Sequence, residues 1–304
     1  MNFSVDPRSD RFLADLDRID DRMSRIQREI SSGYRVSRPS DEPGQVIDIL
    51  QLRSDVSRAT TINTNLDRVT AEVDTSEAAM RVAVQLVERA RTLAAEAATS
   101  TATNRQAVAL EVQQISQQIV DITKTVSEGR FVFSGDKDQS LTYAFDWSQP
   151  GGVVQLTTTT NTRQVEDVNG SRFNIAKSSS ELFDARNSDG TVANENVFYA
   201  LHALGTALEN DDATQVQSAA ALISDSLDHL GRQLTFYGHV QNRIENAKTL
   251  TLSSLNARKE ELSRAQDTDV AQALVDLSTI KVHHEAALGA QSQQPRSSLF
   301  DYLA

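Results

Sequence analysis

The residues able to do chemistry are few and scattered. His283, His284 and Glu285 form the one cluster that suggests a metal. Adjacent residues on a helix project about 100° apart, so the two imidazoles diverge. A helical zinc site wants them four residues apart, as in H-E-x-x-H. The pair reads as one histidine on a helix seam and one on the surface. His202, His229 and His239 stand apart from it and from one another. The chain has no G-x-S-x-G, no G-x-x-x-x-G-K-[ST] and no G-x-G-x-x-G. Acidic pairs such as Asp211-Asp212 suit helix caps better than acid/base work. Cysteine is absent, which removes disulfides, thiolate metal sites and cysteine nucleophiles together. The expectation is no enzyme: no catalytic residue, no cofactor and no metal.

The elements that would have to position a site point the same way. Of 304 residues 39% are hydrophobic but only 5% aromatic, so apolar content is mainly Ala, Val, Leu and Ile. Such residues suit slim helical seams better than a deep pocket. A net charge of −12 repels phosphate backbones, so nucleic acid is not an expected partner. No run of about 18 apolar residues occurs, so no membrane insertion is expected. The start, MNFSVDPRSDRFLADLDRIDD, has no apolar core of a secretory signal.

Heptads organise most of the chain. Phe12, Leu16, Ile19, Met23, Ile26 and Ile30 draw one seam, which stops at Gly33, a good residue to end a helix. The stripe is too narrow to bury itself and needs a partner helix. YRVSRPSDEPG follows; Pro39 forces an extended residue before it, Ser40 or Asp41 can cap the next helix, and Pro43 fits that helix's first turn. A second seam runs from Leu52 through Leu66, Val73 and Met80 to Ala97, a helix of roughly 75–80 Å. A third holds Val108, Val112, Ile115, Ile119, Ile122 and Val126 and ends by Gly129. After RFVFSG, residues 136–193 turn β-rich, and Asn169-Gly170 suits a type I′ hairpin. Helices resume near Asn194. Asp212 can cap a long seam that carries Ile223, Leu230, Tyr237 and Ile244. AQDTD interrupts it, and a last seam holds Ala273, Leu277, Ile280 and His284, with Leu288 beyond.

The order is symmetric about the β-rich stretch, so the two halves can pair antiparallel. The expected fold is mainly α: an elongated antiparallel helical rod or coiled-coil bundle with a small β-rich domain inserted at its tip. Three regions are expected. Residues 1–40 with 268–304 form a terminal helical layer, disordered in the monomer. Residues 41–135 with 194–267 form the long-helix rod, and 136–193 the insert. The terminal seams and the apolar tail, Leu299, Phe300, Tyr302 and Leu303, are the candidate assembly interface. Gly33, Pro39, Asp41 and Pro43 form a candidate spoke between layers.

These residues resemble the flagellin family over about 1–135 and 195–304. SSGYRVSRPSDEPGQ, RFVFSG and the ending SSLFDYLA are more similar to its hook–filament junction branch than to filament flagellins, which usually lack both spoke prolines. Glu42 stands where the branch often has Asp. The resemblance implies a structural subunit in the extracellular flagellum, exported through the type III channel with an uncleaved N-terminal signal. It implies a ring of copies as partner, with a second junction protein, filament flagellin and a flagellar export chaperone. Filament flagellin is the alternative, and a rod-like adhesin or secretion-tip protein a more distant one.

Overall fold

The computed structural model describes residues 7–98, 102–159 and 162–292. Its helices are α1 (Pro7–Ser32), α2 (Val46–Ala98), α3 (Ala102–Thr123), α4 (Ser179–Phe183), α5 (Val197–Glu209), α6 (Ala213–Gln266) and α7 (Val270–Ser292). Between α3 and α4 lie short strands β1 (Val126–Ser127), β2 (Arg130–Phe131), β3 (Tyr143–Phe145), β4 (Val153–Gln155), β5 (Gln164–Glu166) and β6 (Arg172–Asn174), paired antiparallel as β1–β2, β3–β4 and β5–β6. The fold is mainly α, with small antiparallel sheets, as the heptads predict. The chain divides into two compact units, Met1–Arg58 with Leu255–Ala304, and Ala59–Ser254. Helices α2 and α6 each start in one unit and end in the other.

In the larger unit the heptad residues face inward. Leu66, Val73, Met80, Ala83, Val87 and Ala90 of α2, Val112 and Ile119 of α3, and Ile223, Leu230 and Tyr237 of α6 are buried in one apolar cluster. Alanine and serine at Ala83, Ala90, Ala94 and Ser76 let the helices approach closely. Polar pairs fix the register. Gln241 donates to Asp74 at 2.9 Å and Lys248 meets Asp67 at 2.8 Å, so α6 gains seven residues as α2 loses seven and the two run antiparallel. Arg89 meets Glu111 at 2.8 Å across the antiparallel α2–α3 pair.

Caps follow sequence chemistry at several ends. Asn196 accepts from the Tyr199 N–H to open α5, and Asp212 accepts from Thr214 and Gln215 to open α6. Ser178 and Glu181 form a capping box on α4.

Two turns differ from expectation. Asn169-Gly170 is not a type I′ pair: Gly170 donates back to the Asp167 carbonyl and alone takes positive φ, +83°, while the Asp167 carboxylate accepts from Asn169 and Ser171 N–H. The Asp167 side chain, by taking both amides, favours a three-residue loop over the two-residue one. The type I′ signature appears instead at Glu128-Gly129, both at positive φ, joining β1 to β2. Helix α3 also stops at Thr123, so Val126 lies in a strand and is exposed rather than on a seam.

Residues 136–193 share the helices' core. Tyr143, Phe173, Ile175, Leu182 and Phe183 lie in the same cluster as Val112 and Leu230, and Phe198 of α5 sits 5.0 Å from Tyr143 and 5.9 Å from Phe183, ring to ring. Arg163 reaches Glu72 of α2 at 2.9 Å and donates to the Phe131 and Val132 carbonyls. Burial pushes the Glu72 carboxyl up, with Arg163 opposing. Trp147 packs on Gly205 of α5, where an added Cβ would meet its ring at 2.5 Å.

Candidate assembly surface and spoke

The smaller unit holds the sequence-predicted assembly residues. Helix α1 is charged on its outer side and apolar on one stripe, so it buries that stripe against α7. Ile26, Ala273 and Ile280 are 4–6% exposed and form the centre of the contact, with Ile19, Met23, Ile30 and Leu277 half-buried around them. Phe12 and Leu16 continue the same face, half-buried. The pair is antiparallel: Thr268 donates to the Gly33 carbonyl at one end, and His284 lies 3.3 Å from Asp20 further along. His284 therefore sits on the seam, while its neighbour His283 is exposed. Among the described residues no cluster of three or more His, Asp or Glu is placed to hold a metal. No described helix is long and apolar enough to cross a membrane.

Helix α7 differs from α1 in having a second apolar stripe. Val275 and Val282, 59% and 60% exposed, lie opposite Ala273 and Ile280 on the helix, while Leu274 and Leu288, 52% and 46% exposed, flank that seam. The heptad reading reached Leu288 but passed over Leu274, Val275 and Val282. The seven-residue spacing of Val275 and Val282 was the available signal. Leu299, Phe300, Tyr302 and Leu303 lie outside the described residues.

The spoke is a closed structure. Gly33 takes φ +75° and donates to the Glu29 carbonyl, ending α1 as a residue without Cβ can. The chain then crosses the break between α6 and α7. Arg35 and Val36 both donate to the Gln266 carbonyl, at 2.7 and 3.2 Å, and Tyr34 bridges Asp267. The Arg35 guanidinium pairs with Glu42 and donates to Gln45 and, at 2.9 Å, to the Ala265 carbonyl. Arg53 holds the buried Gln266 side chain at 3.3 Å. Asp41 does not cap α2. Its carboxylate turns back to accept from the Arg38 and Ser37 N–H groups and the Ser37 hydroxyl. The Arg38 N–H, against a little burial and with help from Ser37, holds that carboxyl below the usual range. With Asp41 so engaged, α2 opens only at Val46. Pro43 then lies in the preceding turn rather than in the helix's first turn, and it and Pro39 are exposed. The bonds from Arg35 to Ala265 and from Arg53 to Gln266 gave no local signal, because each spans more than 200 residues.

The helical part of the structure is thus a terminal pair closed antiparallel, a stapled break and longer paired helices. Residues 10–138 match the model of the bacterial flagellin N-terminal helical region. Flagellin of Halalkalibacterium halodurans is 24% identical, over 89% of this chain and 88% of that protein. Flagellin C of Rhizobium meliloti is 22% identical, over 92% and 91%. Among solved structures, flagellar hook associated protein-3 of Legionella pneumophila aligns with TM-score 0.62 at 14% identity, over 71% of this chain and 98% of that one. FlgL of Bacillus cereus aligns with TM-score 0.55 at 19% identity, over 71% and 100%. These matches support a flagellin-like structural protein of the bacterial flagellum, one of the components that assemble with other flagellar proteins.

Proposed function

We propose that this chain is the subunit that joins hook to filament, in the extracellular part of the flagellum. The observation that carries this reading is the spoke. Its two prolines sit on a loop tied by backbone hydrogen bonds to the break before α7, so a torque applied to one helix pair reaches the other through a short, stiff link. The fold shared with hook associated protein-3 supports it. Copies form a ring through the terminal helices, between a second junction protein on the hook side and filament flagellin on the other. Export runs through the flagellar type III channel with a dedicated chaperone. The division into terminal layer, rod and insert belongs to the same proposal.

Filament flagellin is the second reading, favoured by the flagellins that match along about nine-tenths of their length. Deletion separates the two. The junction role requires hooks without filaments and flagellin shed into the medium. Filaments still attached in the deletion strain would end that reading.

A further inference from the structure

We propose that Asn169 is a site of spontaneous covalent ageing: the Gly170 nitrogen displaces its side-chain amide, and the resulting aspartate and isoaspartate loosen the β5–β6 hairpin. Asn169-Gly170 is the one Asn-Gly pair in the chain. Gly170 has no Cβ to shield its nitrogen, and both residues are exposed at the tip of the hairpin. The Asn169 side-chain amide holds no hydrogen bond among the described residues. The only co-reactant is water. Hydroxide takes the Gly170 N–H proton, and the nitrogen forms a bond to Asn169 Cγ. The bond from Cγ to Nδ2 breaks, and ammonia leaves with a proton from solvent, which closes a cyclic imide. Water then opens the ring on either side. Cleavage at Cγ leaves an ordinary aspartate. Cleavage at the backbone carbonyl leaves isoaspartate, with the chain running through the former side chain. In sum an amide and water become a carboxylate and ammonium.

Two nearby sites show why Asn169 is singled out. Asp189-Gly190 is also exposed, but the Asp189 carboxylate accepts from the Thr191 hydroxyl at 2.6 Å and its N–H at 2.9 Å. Those bonds hold it ionised, below the usual carboxylate range, and an ionised carboxylate resists a nucleophile. The Asn187 amide donates to Thr191 Oγ1 at 2.9 Å and to the Val192 carbonyl at 3.4 Å, and a serine follows it. At Asn169 the brake lies in the loop instead. Gly170 donates to the Asp167 carbonyl at 3.0 Å, and the Asp167 carboxylate takes the Asn169 and Ser171 amides at 2.9 Å. These bonds must open before the Gly170 nitrogen can turn to Cγ, and exposed loop bonds open at little cost. Either product then sets a second carboxylate beside that of Asp167, where like charges repel. Isoaspartate also adds a backbone carbon to the loop. The strands it joins carry Val165 and Phe173 into the helical core, and Arg243 of α6 stacks 4.3 Å from the Phe173 ring. Without an enzyme to reverse it, the conversion records the age of each copy.

Trypsin cuts after Arg163 and Arg172, so the site falls in one short peptide, residues 164–172. Folded full-length protein is aged at mildly alkaline pH and digested at intervals, with fresh protein as background. That peptide should exchange NH2 for OH in both aspartate and isoaspartate forms, faster as pH rises, while Asn187 stays intact. Asp167→Ala should speed the change about tenfold, the effect of one lost hydrogen bond to a charged group. Amide exchange at Asp167 and Ile175, whose N–H groups bridge the hairpin, should be several-fold faster in aged than in fresh protein. Asn169→Gln should show neither change. Asn169 still intact when Asn187 has reacted overturns the proposal. Aspartate without isoaspartate does so too, since it marks direct hydrolysis rather than attack by Gly170. A rate unchanged in Asp167→Ala removes the loop as the brake, and unchanged exchange in fully converted protein removes the loosening.

Discussion

Arg35 ties two segments with one guanidinium: Glu42 and Gln45 before α2, and the Ala265 carbonyl near the end of α6. Arg35→Ala should free the loop without unfolding α1 or α2. Amide exchange at Val36 and Thr268 should quicken by about tenfold or more, a loss of about 1–3 kcal/mol for a charged hydrogen-bonding group. Unchanged exchange there would mean the backbone bonds suffice. Asp41 adds a pH dependence. Its folded pKa lies below the unfolded value of about 3.9. Its contribution is complete above that value and is lost as pH falls through the folded pKa. The Ser37 and Arg38 amide resonances should therefore shift only below about pH 3.9, and Asp41→Asn should flatten that transition. In the larger unit Gly205 admits the sole tryptophan. Gly205→Ala forces a Cβ against the Trp147 ring and should cost about 1–3 kcal/mol, seen as a lower melting temperature and altered tryptophan emission.

At the scale of elements, α6 contains two glycines with no steric reason to be there. Gly231 and Gly238 lie in the middle of the helix, and a Cβ at either would meet nothing within 4 Å. Replacing each by Ala should stabilise the protein by about 0.5–1 kcal/mol, through chain entropy in the unfolded state. A melting temperature unchanged in the double variant would point to a hidden cost of helicity at those sites. Ile26→Asp is the opposite case. It places a carboxylate among Ala273, Ile280 and Met23, at several kcal/mol. Exchange should become fast throughout α1 and α7, while slow amides in α3 and the middle of α6 persist. Most of this architecture was legible, since seven-residue spacing identifies a seam wherever a helix has one covered face. The ends at Gly33 and Asp212 were legible for the same local reason. What escaped depended on distant chain. The Asp41 carboxylate had two roles open to it, and the one it takes goes with a loop stapled to Gln266. A second stripe on α7 was hidden because a seam is read as one face at a time.

The whole molecule distributes its core without regard to the β-rich stretch. Excising 136–193 with a Gly/Ser bridge would remove Tyr143, Phe173 and Phe183 from a cluster that also holds α3, α5 and α6, and would strip Phe198 of both ring neighbours. The shortened chain should lose several kcal/mol of stability, measured as a melting point well below that of the full chain. An unchanged melting point would show the helices to be self-sufficient. Both units, moreover, are built from segments far apart in sequence: α1 packs on α7, and 59 lies in one unit with 254. A chain emerging N-terminus first, from a ribosome or from any narrow channel, therefore has nothing for α1 to close on until its last fifty residues arrive. Copies cut short before α7 present an uncovered α1 stripe and no finished spoke. On the proposed joining role, completeness of translation becomes a condition of assembly, and copies lacking α7 should be excluded without any separate inspection.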